Sequence, residues 1–139
     1  MRFSPVLLLA LFFPSLLHAF CIYNDSENVT LFLRQNVKNR GAIFSKTFQV
    51  DGLKPSEKAC CAYTNYDCNK SGKPEEYVSI YTGAKWDGGH VSDFQIGIPA
   101  GGWAVFTGKS ELFKIQAYYA NGEPADFKLE KRPDSYALY

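Results

Sequence analysis

Residues 77–98 read YVSIYTGAKWDGGHVSDFQIGI. Phe94, Ile96 and Ile98 fall on one parity, and Asp93, Gln95 and Gly97 fall on the other. A period of two marks a strand with one face buried. Tyr77 to Thr82, rich in aromatic and β-branched residues, is a shorter strand candidate. Asp87-Gly88-Gly89 is a chain breaker between the two patterns.

The same alternation recurs along the chain. Val29, Leu31 and Leu33 alternate with Thr30, Phe32 and Arg34. Ala42, Phe44, Lys46, Phe48 and Val50 share one parity. Leu112 to Tyr119 and Phe127 to Leu129 also read at period two. Shorter candidates are Phe20 to Tyr23, Glu57 to Thr64 and Trp103 to Thr107. Asp51-Gly52, Lys54-Pro55-Ser56, Gly72-Lys73-Pro74 and Pro99-Ala100-Gly101-Gly102 separate them, and Asn121-Gly122 signals a tight hairpin. No stretch shows a helical apolar period. Eight or nine short strands with frequent turns predict an all-β fold, an antiparallel β-sandwich.

The first residues have a different character. Arg2 supplies a basic start, an apolar run extends from Val6 to Leu17, and Ala19 is a small residue suited to cleavage. That is the pattern of a secretory signal peptide, and the run is shorter than the roughly 20 apolar residues of a membrane span. The expected organisation is a signal peptide over residues 1–19, a sandwich domain over 20–130 and a C-terminal tail over 131–139. No transmembrane segment is expected. The full chain has 15 Lys and Arg against 14 Asp and Glu. Removing Arg2 brings the mature net charge to about zero, which argues against a nucleic-acid partner, since such proteins need a basic face.

Four cysteines, Cys21, Cys60, Cys61 and Cys68, fall after the leader. In a secreted chain they read as two disulfides. Pairing the adjacent Cys60 and Cys61 is sterically poor. Cys21–Cys60 with Cys61–Cys68, and Cys21–Cys61 with Cys60–Cys68, both remain open. Three N-glycosylation sequons begin at Asn24, Asn28 and Asn69.

Cys21-Ile22-Tyr23-Asn24, Glu57-Lys58-Ala59-Cys60-Cys61-Ala62-Tyr63 with Asp67-Cys68-Asn69-Lys70, and Ile98-Pro99-Ala100-Gly101-Gly102-Trp103 resemble a pattern in uncharacterised small secreted proteins of fungi. The resemblance spans most of the mature chain and implies secretion without an assigned activity. The early strand ending in Asn24, and Leu53-Lys54-Pro55 before a strand, are similar to thaumatin-like sandwiches. That likeness implies architecture alone, because the thaumatin-like family carries many more disulfides and an acidic cleft.

Catalytic chemistry finds little footing. His90 is the one histidine after the leader, and no Gly-x-Ser-x-Gly elbow accompanies it. Asp87 with Asp93, and Glu75 with Glu76, are the carboxylate pairs a small hydrolase would draw on. No catalytic residue, cofactor or metal is expected. Trp86, lying among glycines with Asp87 and His90 beside it, is the binding candidate, because an aromatic ring can anchor a contact. The sequence leaves open whether that ring is displayed or folds back onto the sandwich. Trp103, inside a strand pattern, is read as core. The function these features predict is a secreted, non-enzymatic, effector-like interaction protein that acts by surface contact on an extracellular protein or glycan. A carbohydrate-binding module, a membrane-active β-toxin and a small hydrolase are the alternatives.

Overall fold

A computed structural model of the chain describes residues 19–36, 47–126 and 128–131. The expected leader up to residue 18, the strand positions Ala42 to Lys46 and the tail from residue 132 lie outside them. The described chain forms two five-stranded sheets. One has the order β4(Lys58–Ala62), β1(Ala19–Ser26), β7(Trp103–Gly108), β8(Lys114–Tyr118), β9(Pro124–Ala125). The other has the order β10(Lys128–Lys131), β6(Gly89–Pro99), β5(Tyr77–Trp86), β2(Thr30–Gln35), β3(Gln49–Leu53). The architecture is the expected all-β sandwich. The tenth strand is β9, whose two residues leave no periodic trace in the sequence. Every ladder is antiparallel except β1 with β7, which runs parallel from Cys21↔Trp103 to Ser26↔Gly108.

Alternation along the strands builds the core. Phe20 and Ile22 of β1, Ala104 and Phe106 of β7 and Ala117 of β8 face inward from the first sheet. Leu31 and Leu33 of β2, Val78 and Ile80 of β5, and Ile96 and Ile98 of β6 meet them from the second. Trp103 is not part of this core, which corrects the sequence reading. Ala104 and Phe106 take the inner parity of β7, so Trp103 falls on the outer face, half-buried and stacked on Tyr118 at 5.3 Å.

The cysteine pairing follows from the same alternation. Cys21 stands opposite Cys60 in the β1–β4 ladder, and the two are bonded. The next residue, Cys61, points to the other side of β4 and bonds Cys68 in the following loop. Among the described residues no cysteine is free.

Two polar features fasten the corners. Asn24 is fully buried, and its Nδ2 donates to the carbonyls of Val29 at 2.8 Å and Leu53 at 2.9 Å. Its Oδ1 accepts from the Ser26 hydroxyl at 2.6 Å, so one amide ties β1, the turn into β2 and the end of β3 together. Across the sandwich, the Tyr77 hydroxyl donates to the Asp126 carbonyl at 2.9 Å and lies 3.1 Å from the Tyr119 hydroxyl. Burial first, then the Tyr119 hydrogen bond, pushes the Tyr77 phenol up to about 12. A deprotonated oxygen there would lose solvation and could no longer donate.

Candidate contact site

The candidate site grows from the β5–β6 hairpin. Its turn is Asp87-Gly88, with Gly88 at φ 89°, a left-handed conformation that glycine adopts without steric cost. Trp86 pairs with Gly89 across the ladder, and Lys85 with His90. A Cβ placed on Gly89 would stand 2.7 Å from the Trp86 Nε1 and within 2.9 Å of two ring carbons. The indole therefore lies across Gly89, and the missing side chain is what lets it fold down. The ring is half-buried, packs against the core and meets Phe113 at a centroid distance of 6.4 Å. Asp87 and His90 are exposed beside it.

Phe113 joins this hairpin to a second feature. It stacks on Phe94 at 6.0 Å and on the core residue Phe106 at 6.2 Å. Together with Val91, Ile115 and Leu129, Phe94 and Phe113 line an open groove of about 320 Å³ between β6 and β10 on one sheet and β8 on the other. Among the described side chains, no polar one lines it. A shift of register makes the wall. On β5 one residue separates Thr82 from Ala84, whereas on β6 two residues separate their partners Phe94 and Val91. This β-bulge places Val91 opposite the buried Ala84, so that it shares the inner face with Phe94 despite their odd spacing. Leu129 is 63% exposed and Val91 40%. Leu112, in the 3₁₀ turn Ser110–Leu112 that leads into Phe113, is 74% exposed.

The structure thus brings Trp86 to the groove through Phe113 and leaves Asp87 and His90 at the hairpin end. The groove residues were missed in the sequence because they come from three separate segments. The available signal was the pair Leu112-Phe113, two consecutive large apolar residues where strict alternation would place a polar one. Glu75 and Glu76 are exposed and outside this site. Among the described residues no three His, Cys, Asp or Glu side chains cluster as a metal ligand set. Nor, among them, is any helix long and apolar enough to cross a membrane.

The sequon asparagines occupy unlike environments. Asn24 and Asn69 are buried, with 0% and 4% of their surface exposed, and Asn69 Nδ2 donates to the Lys73 carbonyl at 2.9 Å. Asn28 is half-buried against Ser110. The amides of Asn24 and Asn69 are thus held inside the fold, and that of Asn28 lies nearer its surface.

In comparisons with known proteins, no family model matches the chain, and no curated protein or solved structure is significantly similar to it.

Proposed function

We propose that this is a secreted, non-enzymatic interaction protein that acts by surface contact, and that its contact face is the apolar groove with Trp86 at its flank. One observation carries the reading: five apolar side chains open to solvent at a single place between the sheets, with Leu129 63% exposed. Scattered exposed apolar residues are ordinary on a small protein, whereas a contiguous set at a concave site marks a place of association. Among its described side chains the groove supplies burial and shape but no proton donor or nucleophile, which suits binding rather than turnover. Asp87 and His90 give the hairpin end a polar rim. The paired disulfides and the leader pattern support an extracellular setting.

The test compares the mature protein with the double variant Val91→Lys/Leu129→Glu. Both positions are exposed, so thermal stability should stay within about 0.5 kcal/mol of wild type. Capture of an extracellular protein or glycan partner should fall at least about tenfold, the scale of losing a contact anchor. Trp86→Ala should weaken capture too, with some loss of stability from its packing on Phe113. Equal capture by wild type and double variant would reject the groove as the contact face.

A further inference from the structure

We propose that Asn28 is a glycan attachment site of the folded protein, and that the other two sequon asparagines are structural. The proposal rests on the secretion reading above, since N-linked transfer takes place in the secretory compartment. In that reaction the amide Nδ2 attacks the anomeric carbon of a lipid-pyrophosphate-linked oligosaccharide. The Nδ2–C bond forms, the bond from sugar to pyrophosphate breaks, the lipid pyrophosphate leaves and one amide proton is released. The amide nitrogen begins with two hydrogens and ends with one.

Counting those hydrogens separates the three sites. Asn24 commits both of them, to Val29 and to Leu53, and no part of it is exposed. A sugar there would delete a buried hydrogen bond and place a polar ring in the core. Asn69 commits one hydrogen to the Lys73 carbonyl, and its Oδ1 accepts from the Ser71 hydroxyl at 3.2 Å. With 4% of the residue exposed, its second hydrogen has no path out for a sugar. Asn28 differs on both counts. It is half-buried, and its Nδ2 makes one hydrogen bond, to the Ser110 hydroxyl at 3.0 Å. Its Oδ1 accepts from the Ser110 backbone N–H at 2.8 Å. One Nδ2 hydrogen is replaceable while the other keeps hold of Ser110.

The sugar-bearing Asn28 therefore still clamps Ser110, which stands at φ 48° and opens the 3₁₀ turn into Phe113. Sugar is transferred before the chain folds, so folding does the sorting. Chains carrying sugar on Asn24 or Asn69 fail to close the sandwich, and the secreted folded pool bears its glycan at Asn28.

The experiment expresses the full chain in eukaryotic cells and isolates the disulfide-complete secreted fraction. An amidase that releases N-glycans in heavy-oxygen water converts each occupied Asn to a mass-tagged Asp. The tag is expected on Asn28 and absent from Asn24 and Asn69. Thr30→Ala, which deletes the Asn28 sequon and keeps the clamp, should abolish the gel shift, and Ser71→Ala should leave it. A tag on Asn24 or Asn69 in the folded fraction, or a folded secreted chain with no sugar on Asn28, overturns the proposal. Failure of the secretion reading shows differently, as a chain retained inside the cells with residues 1–19 attached. A second arm, with a host leader placed before Phe20, then decides the Asn28 question by the same mass tags.

Discussion

Replacing Asn24 probes the corner on which the sandwich closes. In Asn24→Ala the carbonyls of Val29 and Leu53 each lose an amide donor, and the Ser26 hydroxyl loses its acceptor at 2.6 Å. The Ser26 hydroxyl already lies 3.2 Å from the Val29 carbonyl and can turn fully toward it, which offsets part of the loss. Leu53 has no such substitute, and the site is closed to water. Each buried polar group deprived of a partner costs about 1–3 kcal/mol, so the total comes to about 3–5 kcal/mol. For a domain whose whole stability is about 5–15 kcal/mol that is a severe loss, equivalent to a fall in Tm of roughly 12–20 °C. Asn24→Asp sharpens the test, because the shape is kept while the donating amide becomes an oxygen facing two carbonyls. Burial and those carbonyls raise the pKa of the new carboxyl in the folded chain above its unfolded value. The deficit of the Asp variant against wild type is therefore smallest below the unfolded value, about pH 4, and grows as pH rises through the folded value. The deficit of the Ala variant stays flat over the same range. Urea denaturation of the oxidised proteins at pH 4 and pH 7 measures both. Two variants within about 0.5 kcal/mol of wild type, or an Asp variant that tracks the Ala variant at both pH values, would refute the reasoning.

The two disulfides should differ in worth. They close separations of 39 and 7 residues, which on a loop-entropy basis gives about 4 kcal/mol for Cys21–Cys60 and about 2 kcal/mol for Cys61–Cys68. Paired Cys→Ser variants in urea measure this, and the reverse order would contradict it. The Tyr77 phenol should ionise near pH 12, above its ordinary value of 10. Because its proton is held more tightly folded than unfolded, its stabilisation is complete below pH 10 and is lost as pH rises toward 12. The difference in phenolate absorbance between wild type and Tyr77→Phe against pH reads this directly, and a Tyr77 transition near pH 10 would contradict it.

Much of this fold was legible in the residues. Period two in Phe94, Ile96 and Ile98, and in Val29, Leu31 and Leu33, named the faces that became core, because a strand's side chains must alternate whatever the strand pairs with. Breakers such as Asp87-Gly88 named corners, since few other residues tolerate the backbone a tight turn needs, whereas Asp51-Gly52, also read as a breaker, lies inside β3. The even cysteine count announced two bridges. Partners across space were not legible. The choice of Cys60 for Cys21 depended on which of two adjacent residues shared a face with β1, and that is set by ladder register. The parallel pairing of β1 with β7 joins segments about 80 residues apart with no local signature. Trp103 left its expected surroundings, and the question the sequence left open for Trp86 was settled, for the same reason. Trp103 had the right pattern but the outer parity, and Trp86 found a glycine opposite it on which to lie. The groove belongs wholly to the tertiary structure. Its lining residues come from different strands, and the bulge in β6 helps bring them together. Burial of the Asn24 amide was equally invisible, because a sequon records three neighbours along the chain, and the bonds that fix its nitrogen come from across the fold.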